Sequence, residues 1–76
     1  MRLNSRQIEH LQEALTVELT QMLMENWGYS MQEALTTLYN SDTFERLSDP
    51  ATGLYFQSAG YIYDYLQNEL TSGKIS

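Results

Sequence analysis

The chain has 76 residues, ten acidic against four basic side chains, and a formal net charge of −6 with its single histidine neutral. It has no cysteine, which excludes disulfides, thiolate metal sites and cysteine nucleophiles. Aromatic residues make up 12% of it, too many for a disordered tail, so one small folded domain over residues 1–76 is expected.

The first helix is expected at about residues 5–26. Asn4 with Gln7 has the spacing of a capping box. Beyond it Ile8, Leu11, Leu15, Leu19 and Met22 recur at steps of three and four, with Leu23 on the flank. Gly28, after Trp27, supplies a left-handed stop. Ser30 with Glu33 forms a second capping box and opens a helix over about 31–39, carrying Ala34, Leu35, Leu38 and Tyr39. The connection between these helices is too short for anything but a tight reversal, so the two pack as neighbours. Asn40 suits a left-handed helix end.

Ser41 or Asp42 caps a short helix over about 42–48 that holds Phe44 and Leu47. The stretch Ser48-Asp49-Pro50-Ala51-Thr52-Gly53 is the clearest loop. Within it Pro50 opens one more short turn with Asp49 as its cap, and Gly53 permits positive φ. Ser58 caps the last helix, about 59–71, with Ile62, Tyr65, Leu66, Glu69 and Leu70 on one face. Gly73 ends it, Lys74 suits the negative end of its dipole, and residues 72–76 are expected to fray. The fold class is therefore all-α, a small bundle of four helices. Its core is expected at Ile8, Leu11, Leu15, Leu19, Met22, Trp27, Leu35, Leu38, Phe44, Leu47, Leu54, Ile62, Leu66 and Leu70, chiefly on the first, second and fourth helices.

Little of this sequence carries chemistry. Neither Arg6 nor Ala14, one turn either side of His10, can ligate a metal, and a histidine–carboxylate site would need ligands arriving from elsewhere, so no metal site is expected. Glu9 with Glu13, and Gln21 with Glu25, lie off the apolar stripe and read as a solvated acidic face. Glu69 falls within the stripe of the last helix, and a tyrosine hydroxyl or Arg46 is its expected partner. Serines 5, 30, 41 and 58 read as helix caps, and no glycine pattern cradles a phosphate. No nucleophile–base pair exists, so the expectation is no enzyme, no catalytic residue and no cofactor. No stretch approaches the length of apolar residues a membrane span needs, and Gln7, Glu9 and His10 interrupt any leader-like run, so the cytoplasm is expected. Without a basic cluster, neither nucleic acid nor an anionic membrane is an expected partner.

The tyrosines are unusual. Tyr55, Phe56, Tyr61, Tyr63 and Tyr65 fall within eleven residues, more ring area than one stripe of a small bundle buries. Tyrosine gives large contact area at low entropic cost, so Tyr55, Phe56, Tyr61 and Tyr63 are candidate partner-binding residues. Val17 and Met24 join them, on a quieter second stripe of the first helix through Leu3, His10, Ala14, Val17, Gln21 and Met24.

Three segments carry a family resemblance: Ser30-x-x-Glu33-Ala34-Leu35, then Leu38-Tyr39-Asn40-Ser41-Asp42-Thr43-Phe44, then Thr52-Gly53-Leu54-Tyr55-Phe56-Gln57-Ser58. Over about residues 10–70 the chain resembles short all-helical bacterial proteins of unknown function, common in gut anaerobes. Some of those are encoded beside ADP-ribosyltransferase-like or other toxin-like proteins. The resemblance implies an antitoxin-like or accessory partner of a toxin-like protein and carries no catalytic residues with it. The expected function is thus a non-catalytic protein–protein interaction module. The alternatives are a self-assembling structural homodimer and an acidic mimic of nucleic acid.

Overall fold

The computed structural model describes residues 4–72. They form four α-helices, α1 (Ser5–Trp27), α2 (Met31–Tyr39), α3 (Asp42–Ser48) and α4 (Ala59–Ser72), with two 3-10 turns, Pro50–Thr52 and Leu54–Phe56, between α3 and α4. No strand occurs among the described residues, and the all-α bundle is the observed class. Ser72 belongs to α4 rather than to a frayed tail, while Leu3, Gly73 and Lys74 lie outside the described residues.

The caps follow local chemistry. The Asn4 side chain accepts from the Gln7 N–H at 2.8 Å, and the Gln7 side chain accepts from the Asn4 N–H at 3.0 Å. Ser30 and Glu33 reciprocate in the same way at 3.1 and 2.9 Å. Each box satisfies two of the donors that a helix start leaves orphaned. Gly28 ends α1 at φ 70° and ψ 21°, and the chain reverses within residues 28–30. Trp27 and Tyr29 meet across that reversal with ring centroids 5.9 Å apart. Asn40, by contrast, ends α2 at φ −92°, not left-handed. Its side-chain amide donates to the Thr36 carbonyl at 2.8 Å, and its backbone N–H donates to the same oxygen, so no positive φ is required. Ser41 caps α3, Asp49 caps the first 3-10 turn with Pro50 opening it, and Gly53 takes φ 68°. Ser58 accepts from the Tyr61 N–H at 3.2 Å at the start of α4. The second 3-10 turn was not expected from the sequence.

The core is Leu15, Leu19 and Leu23 of α1, Ala34 and Leu38 of α2, Leu47 of α3, and Ala59, Ile62, Tyr63 and Leu66 of α4. Three corrections follow. Leu23, not Met22, is the innermost residue of its turn, because the buried ridge of α1 runs at strict four-residue steps. Ala34 is fully buried where Leu35 was expected, since the buried ridge of α2 runs through Ala34 and Leu38 at a four-residue step and leaves Leu35 half-buried beside it. Ile8 is only half-buried and Leu11 is exposed. Helix α1 has 23 residues, about 34 Å, against nine in α2, about 13 Å, so its N-terminal part reaches past the layer that would cover it. Helix α3 is also more than an appendage, because Leu47 and Thr43 are fully buried.

Candidate interaction surface

Tyr63 must be reassigned first. It is 5% exposed and belongs to the core, although the expectation placed it on a binding surface. Helix α4 buries Ala59, Ile62, Tyr63 and Leu66, a stripe at steps of three, one and three, and Tyr63 falls inside that arc rather than on its shoulder. Its hydroxyl is buried and has no hydrogen-bond partner among the described residues. Met24 and Tyr55 are likewise partly buried and packed against the core. The other three candidate partner-binding residues are open: Phe56 is 64% exposed, Val17 58% and Tyr61 42%.

Tyr61 and Tyr65 act as a pair on the exposed side of α4. Four residues apart, they stack one above the other on the helix surface. Their rings meet edge to face, centroids 5.3 Å apart at 83°, and their hydroxyls lie 3.1 Å from each other. Tyr65 raises the pKa of the Tyr61 phenol, first through that hydrogen bond and then through the charge its own ionisation would add; burial contributes least. One O–H serves the internal bond, leaving the other free to donate outward.

The pair walls a hollow of about 240 Å³ between α3, the 3-10 segment and α4, lined also by Arg46, Leu54 and Gln57. That is below the size of a typical small-molecule or cofactor site and suits a single side chain of a partner. On the 3-10 segment itself Tyr55 and Phe56 pack ring against ring at 4.5 Å, with Tyr55 turned to the core and Phe56 outward. The second 3-10 turn makes this arrangement, since it places consecutive side chains about a third of a turn apart.

The remaining polar residues are placed as follows. Glu69 binds neither a tyrosine hydroxyl nor Arg46. Its carboxylate accepts from the backbone N–H groups of Asp42 and Thr43 and from the Thr43 hydroxyl, at 2.7, 3.0 and 2.9 Å. His10, Glu9, Glu13, Gln21 and Glu25 are exposed. Among the described residues no three His, Cys, Asp or Glu side chains stand together to hold a metal, and no helix is long and apolar enough to cross a membrane. Sequence reasoning missed Tyr39, which is 54% exposed and stacks edge to face on Phe44 at 4.9 Å. Its position at the last residue of α2, beside the cap, was the available signal.

Compared with protein families, characterised proteins and solved structures, the chain finds no match.

Proposed function

We propose that this chain is a non-catalytic protein-binding module acting in the cytoplasm, with the exposed rings of Phe56, Tyr61 and Tyr65 as its anchors. The observation that carries the proposal is the exposed Tyr61–Tyr65 pair walling a hollow sized for one side chain, with Phe56 also exposed on the turn before α4. Aromatic anchors seated beside pockets dominate the binding energy of protein interfaces. An antitoxin-like or accessory partner of a toxin-like protein is the form the family resemblance implies. The test compares capture by the wild-type chain with capture by Phe56→Ala and Tyr61→Ala, using native lysate and mass spectrometry. A partner lost in both variants, with melting temperatures within about 3 °C of wild type, supports the proposal. Capture unchanged in both variants removes the aromatic face from the function.

A second reading, a self-assembling homodimer, draws support from Leu11 and Val17, two apolar side chains exposed on α1. Sedimentation at micromolar concentration separates the two, and a monomer there rejects the dimer.

A further inference from the structure

A second surface of the molecule, away from the tyrosine pair, combines carboxylates with apolar side chains. A groove of about 500 Å³ runs between the N-terminal half of α1 and the junction of α2 with α3. Its lining holds the apolar side chains of Val17, Tyr39 and Phe44 together with two carboxylates, Glu9 and Glu13, which also border an adjoining hollow with Arg6 and His10. The Gln12 side-chain amide donates to the Leu47 carbonyl at 2.9 Å, so the α1 wall is tied to the end of α3. Residues 5–14 of α1 contain no fully buried side chain. The wall is thus an anchored helix with a face left open.

We infer that this groove docks a basic amphipathic helix of a partner protein. It extends the protein-binding reading to a second face and does not depend on the aromatic one. Glu9, Glu13 and Val17 follow one another at four-residue steps, so the charges stand about 6 Å apart along the axis and the apolar contact follows one turn later. A helix with lysine or arginine at the same four-residue spacing matches both charges while its apolar stripe lies over Val17 and the Tyr39–Phe44 rings. From Glu9 to Val17 is about 12 Å, enough for two turns of such a helix. Charge selects this occupant over a second copy, because a copy carries −6 of its own and brings like charges to these carboxylates. The same net charge steers a basic partner toward the groove.

The test is a heteronuclear NMR titration of the whole chain with two synthetic peptides. One is an amphipathic leucine–lysine helix with lysines four residues apart; the other has glutamate in place of every lysine. The lysine peptide is expected to shift the amides of residues 9–17 and 39–44, and to bind more weakly as salt rises. The glutamate peptide is expected to shift none of them. Combining Glu9→Gln with Glu13→Gln should weaken binding about tenfold, and Val17→Asp should weaken it by at least as much, with helical circular dichroism retained in both. Tyr61→Ala should bind as the parent does. Shifts spread evenly over the acidic surface, shifts centred on α4, or groove variants that bind undiminished would overturn the inference. So would a dimer in sedimentation that Val17→Asp dissociates, which gives the groove to a second copy. Failure of the lysine peptide to bind at all also rejects it, and leaves the aromatic-face proposal to its own capture experiment.

Discussion

Glu69 Oε1 accepts two hydrogen bonds from one residue, Thr43, whose backbone N–H lies at 3.0 Å and whose hydroxyl lies at 2.9 Å. The other oxygen takes the Asp42 N–H at 2.7 Å. A carboxylate on α4 therefore caps the start of α3, alongside Ser41, whose hydroxyl takes the Phe44 N–H at 3.0 Å. Three orphan donors at one helix start are satisfied, two of them by a residue that also holds α3 onto α4. Thr43 is fully buried, so its hydroxyl would otherwise lack a partner.

Removing that carboxylate should loosen two elements together. Glu69→Ala is expected to cost about 1–3 kcal/mol, because it strands the buried Thr43 hydroxyl and two N–H groups. Thr43→Val, which keeps volume and loses only the hydroxyl, should cost less. Urea unfolding of both single variants and the double variant is expected to show coupling of about 0.5 kcal/mol or more. Strict additivity would show that the contact contributes nothing to stability.

Tyr63 separates ring from hydroxyl. Its ring belongs to the core, while the buried hydroxyl has no partner among the described residues. Tyr63→Phe should therefore be neutral or stabilising by up to about 1 kcal/mol, whereas Tyr63→Ala should cost about 3–5 kcal/mol. Such a loss is comparable to the whole stability of a small domain. Thermal and urea melts of the two variants are the check, and a destabilised Tyr63→Phe would mean that the hydroxyl is satisfied.

The Tyr61–Tyr65 pair predicts a pH signature. The Tyr61 pKa is raised in the folded chain, mainly by its hydrogen bond to Tyr65. Between the unfolded and folded pKa values the folded chain holds the phenolic proton that the unfolded chain has lost. The contribution to stability is thus complete below about pH 10 and disappears as pH rises through the folded value. Ultraviolet titration should show one phenol ionising late, and Tyr65→Phe should return it toward the ordinary range. An unchanged profile in Tyr65→Phe would separate the shift from Tyr65.

Gly28 tests backbone conformation apart from space. It sits at φ 70°, and a Cβ built there meets nothing within 4 Å. Gly28→Ala should cost about 1–2 kcal/mol through the left-handed conformation alone. Gly28→Asn should recover part of that, because asparagine visits the region more readily. Equal losses in chemical denaturation would point to a cause other than φ.

How far the sequence reached depends on the range of the forces involved. Helix starts and stops lie within three or four residues of their causes. The caps at Asn4, Ser30, Ser41, Asp49 and Ser58 and the positive-φ glycines were accordingly readable from local pattern, and the four helix spans fell within one residue of those observed. Leu15, Leu19, Leu38, Leu47, Ile62 and Leu66 were legible as core for the same reason, since periodicity marks a buried face. Periodicity gives the face only to within a residue or so of rotation. Which of Met22 and Leu23, or of Ala34 and Leu35, lies innermost depends on the helix opposite. The half-burial of Ile8 and the exposure of Leu11 follow from unequal helix lengths once the elements stack. Tyr63 and Tyr61 are chemically alike and two residues apart, yet one fills the interior and the other pairs with Tyr65 outside, about 200° round the helix. Glu69 found backbone donors 26 residues away that no local pattern announces. Local chemistry determined where the chain turns; the meeting of distant surfaces decided which rings face inward and which remain outside.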